Sequence, residues 1–147
     1  MYKFSAAAGL LMTLGAAGCS SAPPPPPQLP SGAVPAGTVT VAIQTGGASQ
    51  FHCAACQPLG GTLTRVTAGE PSAGIDIRLD NAEGVSAQSV VITNVDGFTG
   101  SYWKGAQGSA KASMTAQTFT IDGTARGFDA ANPSAAITQT FRIAAAC

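Results

Sequence analysis

From residue 38 onward, apolar and polar residues alternate along the chain. Val39, Val41 and Ile43 are interleaved with Thr38, Thr40 and Ala42, the period-two pattern of a strand with one buried face. The cleanest example is Ile75-Asp76-Ile77-Arg78-Leu79-Asp80, with aliphatic residues on one side and charges on the other. Similar patterns predict strands over 62–67, 89–93, 99–104, 110–114, 117–125 and 137–145, with Phe119, Ile121, Phe141 and Ile143 facing inward. Tyr102 and Trp103 fall on opposite faces, so one of the two belongs to the core. Between these runs stand turn signals: Gly46-Gly47, Gly69-Glu70-Pro71, Asn81-Ala82-Glu83-Gly84, Asn94-Val95-Asp96-Gly97 and Asn132-Pro133. Pro58-Leu59-Gly60-Gly61 reads as a loop. The count is eight or nine short strands at a spacing of roughly ten residues, which predicts an all-β domain. The expected architecture is a single small β-sandwich, or a flattened barrel, of antiparallel strands.

The first 37 residues follow another pattern. Met1-Tyr2-Lys3 is a short charged start, and residues 4–14 are apolar and small. A run of that size suits the hydrophobic region of an export signal; spanning a bilayer takes about 20 apolar residues. It closes on Leu14-Gly15-Ala16-Ala17-Gly18-Cys19, and Ala-Ala-Gly-Cys in this place is similar to a bacterial lipoprotein lipobox. The resemblance implies cleavage before Cys19 and a diacylglyceryl group on its thiol, with an N-acyl group on the new terminus. Ala16 stands where Leu is usual. Residues 20–37 then hold seven Pro, five of them consecutive from Pro23 to Pro27, and no charge. Such a segment favours extended polyproline II at about 3.1 Å per residue. The expected organisation is therefore a signal peptide at 1–18, a lipidated Cys19 and disordered Pro-rich linker at 19–37, and a β domain at 38–147.

Composition narrows the function. Seven Lys and Arg balance seven Asp and Glu, and charged residues are only 10 % of the chain. No basic stripe suggests nucleic acid as a partner. Small residues such as Gly, Ala, Ser and Thr dominate, and strong helix formers are scarce. The small residues Ala42, Ala112, Ala125 and Ala145 are expected on the inward side, where they make either thin packing or a cavity.

No catalytic constellation is visible. His52 is the only histidine, so any Ser-His-Asp arrangement or His-rich metal site would rest on it alone. There is no Gly-x-Ser-x-Gly elbow. Asp76, Asp80, Asp96, Asp122 and Asp129 fall on outward faces or in turns, where solubilising charge is their expected role. His52, Cys53 and Cys56 offer three zinc ligands without a fourth. The Cys53-Ala54-Ala55-Cys56 spacing lacks the following helix that lowers a thiol pKa in redox motifs. No metal, no cofactor beyond the covalent acyl groups, and no enzymatic activity are expected.

The second half of the chain resembles the mycobacterial 19 kDa lipoprotein antigen family. The resemblance rests on Asn94-Val95-Asp96-Gly97, Tyr102, the Gly105/Gly108 loop, Ile121-Asp122-Gly123-Thr124-Ala125 with Gly127, Asn132-Pro133, and a last strand ending in Cys147. It implies a cell-envelope lipoprotein, anchored on the extracytoplasmic face of the cell membrane through acylated Cys19. It also implies a surface antigen whose lipidated end is sensed by a host receptor of the Toll-like class. The other role considered is a carrier of an envelope lipid or glycolipid, which needs an apolar cavity of several hundred Å³ between the sheets.

An exported chain meets oxidising conditions. Counting by twos from Phe141 puts Cys147 on the inward face, toward Cys53 or Cys56. Alternation from Phe51 favours Cys53 as its partner. Family spacing relative to Gly60-Gly61 and Asn94 favours Cys56, and Cys56–Cys147 is the expected pair, with Cys53 as the alternative.

Overall fold

Alternating side chains need a second layer to bury their apolar face, and the chain supplies it by folding one sheet over on itself. The computed structural model describes residues 25–44 and 46–147, which form ten strands and no helix. In chain order they are β1 (Thr38–Ile43), β2 (Ala48–His52), β3 (Ala55–Gly60), β4 (Leu63–Glu70), β5 (Ala73–Asp80), β6 (Ser86–Val95), β7 (Phe98–Trp103), β8 (Ser109–Thr115), β9 (Thr118–Asp129) and β10 (Asn132–Ala146). All pairs are antiparallel, in the order β2-β1-β10-β9-β7-β6-β5-β4-β3, with β8 joined to β9. Along one edge, β9 changes partner: residues 118–124 pair with β8 and residues 126–129 with β7. Its other edge follows β10.

The inward side chains of both halves meet in one cluster. Val39, Val41 and Ile143 from one half and Ile77, Leu79, Val90 and Ile92 from the other are all fully buried within it. Each such aliphatic side chain contributes about 1.5–3 kcal/mol relative to an exposed one. The ring of Phe51 on β2 lies against Gly69 on β4, closing the fold at that side. Tyr102 is the core member of the aromatic pair and donates its hydroxyl to the Ala87 carbonyl at 3.2 Å, while Trp103 is exposed.

The alternation does not announce every strand. β2 reads Ala-Ser-Gln-Phe-His and β3 reads Ala-Cys-Gln-Pro-Leu-Gly, neither with an aliphatic period. The stretch Pro58-Leu59-Gly60, expected as loop, is the second half of β3. That strand ends the sheet and pairs only with β4, so a Pro without an N–H costs it no ladder bond on the open side. Ala42, expected inward, faces outward, because the phase set by Val41 and Ile43 leaves it no other side.

Gly127 marks the partner change on β9. A Cβ there would overlap the Thr99 carbonyl oxygen and the Gly100 backbone across the β7–β9 pair. Both clashing groups are backbone, so no rotamer relieves them. Gly127→Ala is expected to destabilise the domain by about 1–3 kcal/mol, the usual range for overpacking; a urea midpoint equal to that of the parent chain would contradict it.

Candidate functional site

Cys19, the residue on which the sequence places a chemical event, lies outside the described residues. What the structure shows is how the chain leading from it joins the domain. Two turns do this. The Ala33 N–H donates to the Pro30 carbonyl at 2.9 Å, and the Thr38 N–H to the Pro35 carbonyl at 3.1 Å. The third residue of each turn is a glycine in the left-handed region, Gly32 at φ +83° and Gly37 at φ +74°, which is what a type II turn demands.

The turns are fastened to the sheet. Val34 N–H donates to the hydroxyl of buried Thr118 at 3.1 Å. Gly37 N–H donates to the Ala146 carbonyl, and the Gly37 carbonyl accepts from Ala54 N–H, both at 2.9 Å. Residues 29–37 are thus a strap along β1, β9 and β10, where extended linker was expected. One side of the strap borders a groove of about 490 Å³ floored by Thr40, Ala42, Thr120 and Ala144. The other borders a groove of about 300 Å³ with Leu29, Val34, Ala116 and Ala146 on its walls. Both open on the outer side of the sheet. Ala125 and Ala145, two of the small residues considered for an internal cavity, are fully buried in the core.

Beside the strap sits the disulfide. Cys56 on β3 is bonded to Cys147, 91 positions further along the chain, with Cα atoms 5.7 Å apart. Cys147, expected on the inward face, is exposed, because β10 ends at Ala146 and the alternation stops there. Cys53 is free and exposed. It follows the last residue of β2 and takes φ +63°, so the alternation begun at Phe51 stops one residue before it. That backbone step is what sequence periodicity could not reveal.

Charged groups are spread thinly. Arg65 holds Asp76 in a two-pronged pair, Nε–Oδ1 at 3.0 Å and Nη2–Oδ2 at 2.5 Å. Arg142 holds Asp122 at 2.5 Å. Both pairs are at least partly exposed and contribute little to stability. The Asp80 carboxylate accepts from the Thr62 hydroxyl at 2.7 Å and from Ala82 N–H at 3.0 Å, and these bonds hold its pKa below the usual value. Its contribution is present above the ordinary carboxylate pKa and fades as pH falls through the lowered one. Burial pushes the Tyr102 hydroxyl upward.

His52 is exposed and is not joined by further ligands: among the described residues no three His, Cys, Asp or Glu side chains group as a metal site. Asp96 in the β6–β7 turn and Asp129 at the end of β9 line one polar pocket of about 210 Å³ together with Gln44 and Gln139. The Gln139 Oε1 is buried there without a hydrogen-bond partner.

The comparisons agree on one kind of protein. The sequence model of a family described as Mycobacterium 19 kDa lipoprotein antigen matches residues 32–147. A protein of Mycobacterium avium subsp. hominissuis named as a lipoprotein is 40 % identical, over 75 % of this chain and 76 % of its own length. Lipoprotein LppE of Mycobacterium tuberculosis is 41 % identical over 43 % of this chain and 45 % of its own. Lipoprotein LpqH of Mycobacterium avium is 34 % identical over 63 % and 57 %.

Proposed function

The chain belongs to the Mycobacterium 19 kDa lipoprotein antigen family, and from that membership we propose that it is cut before Cys19, acylated there, and held on the extracytoplasmic face of the cell membrane. The family supports a lipoprotein and antigen associated with the envelope. The finer reading rests on one observation: Ala16-Ala17-Gly18-Cys19 closes an apolar run and opens a proline-rich lead into the strap. In this reading the domain is what the anchor displays. The acylated terminus is the part a host receptor of the Toll-like class would sense, and recognition, not catalysis, is the role.

The N-terminal peptide tests this. No Lys or Arg lies between Lys3 and Arg65, so trypsin leaves Cys19 to Arg65 as one fragment after reduction. Mass spectrometry of protein extracted from the envelope is expected to find that fragment starting at Cys19 and carrying a diacylglyceryl plus an N-acyl group. A fragment starting elsewhere, or an unmodified Cys19, would refute the proposal.

A further inference from the structure

Strand β9 leads from a groove without charged side chains to a pocket lined by two carboxylates. It runs from Thr118 to Asp129 over 12 residues, roughly 40 Å at the rise of an antiparallel strand. At the Thr118 end, the strap and the β8–β9 turn enclose the groove bounded by Leu29, Val34, Ala36, Ala116, Gln117 and Ala146. None of these carries a charge. Leu29 is 50 % exposed and Met114, which leads into the turn, is 49 % exposed. At the Asp129 end, Asp96 and Asp129 share a pocket that no Lys or Arg lines.

The strap ties this asymmetry to the anchor. Cys19 precedes Leu29 by ten residues, and ten residues reach at most about 35 Å. The segment from Leu29 to Gly37 is already held against the domain, so the chain from the anchor arrives at the end whose groove has no charged side chain. We propose that this end rests on the lipid bilayer, with Leu29 and Met114 dipping into the interface, and that the Asp96–Asp129 end points away. A surface containing anionic lipid repels the Asp96–Asp129 pair, while the exposed Leu29 and Met114 side chains gain by leaving water. The inference rests on the reading of Cys19 as acylated.

The test uses the full chain, expressed with its own leader, purified with acylated Cys19, and reconstituted in vesicles of phosphatidylcholine and phosphatidylglycerol. In a Cys53→Ser background, a nitroxide is placed at Gln117→Cys or at Ala131→Cys, both exposed positions in turns at opposite ends of β9. On reconstitution, the label at 117 is expected to gain collisions with oxygen and to lose collisions with an aqueous nickel chelate, several-fold in each case. The label at 131 is expected to stay open to nickel. Flotation with the vesicles but a label at 117 as open to nickel as that at 131 would overturn the resting face and leave the anchor standing. Failure to float would overturn the anchor and this inference with it. A Leu29→Asp, Met114→Glu double variant, altering two exposed side chains, is expected to return the label at 117 to water without loss of flotation. An unchanged label there would overturn the part given to those two residues.

Discussion

Replacing Cys19 with alanine is expected to move the protein from the envelope fraction to the medium. The size of the effect follows from the acyl chains proposed for Cys19. At about 0.8 kcal/mol per buried CH₂, two long chains supply on the order of 20 kcal/mol of membrane affinity, whereas a single chain binds marginally and reversibly. Nothing among the described residues approaches that figure. The apolar run at 4–14 is too short to span a bilayer, and no helix among the described residues is long and apolar enough to cross one. Two half-exposed side chains, Leu29 and Met114, could add only a few kcal/mol if fully buried, at about 1.5–3 kcal/mol each. They can orient a protein that is already anchored; they cannot hold one that is not. The measurement is fractionation followed by immunoblotting of the parent and Cys19→Ala chains. A variant still sedimenting with membranes would mean that another part of the chain carries the attachment.

That division of labour explains which features were legible in the sequence. Alternation exposes a strand only when it buries one face on a core. β1, with Val39, Val41 and Ile43, and β5, with Ile75, Ile77 and Leu79, bury theirs and were plain. β2 and β3 lie at the two ends of the sheet order and give little to the core beyond Phe51 and Cys56, so their sequences show no period. The strap was hidden for a different reason. Its prolines read as extended chain, but Gly32 and Gly37 each reverse the backbone through a left-handed step. The bonds that seat it, to Thr118 and Ala146, join residues more than 80 positions apart. No local pattern encodes such a contact.

For the disulfide, local periodicity and geometry pointed in different directions. The choice between Cys53 and Cys56 turned on a single backbone angle, since φ +63° at Cys53 ends the phase that would have carried it inward. Family spacing pointed to Cys56, because spacing counts residues along the chain and is indifferent to where a strand stops.

Removing the Cys56–Cys147 bond is expected to be the most damaging change to the folded domain. The bond closes a loop of 91 residues, for which restriction of the unfolded chain alone predicts about 4–5 kcal/mol, within an observed range of roughly 0–5. Its place in the fold argues for the upper part of that range. β3 is the last strand of the sheet and pairs on one side only, so the disulfide to the residue after β10 adds a covalent tie to the Ala54–Gly37 hydrogen bond at that free end. Domains of this size have about 5–15 kcal/mol of stability in total, and a loss near 4 kcal/mol should lower the midpoint of thermal unfolding by about 15 °C or more. The comparison belongs in a Cys53→Ser background, because a free thiol three residues from Cys56 could otherwise take its place. There, Cys56→Ser and Cys147→Ser are expected to cost the same amount, and their combination little more than either alone. Cys53→Ser by itself removes an exposed side chain and should change the urea midpoint hardly at all. A large loss from Cys53→Ser with none from Cys56→Ser would reverse the pairing. Unequal losses from the two partners would show that packing of Cys56 against the core, and not the covalent link, supplies the difference.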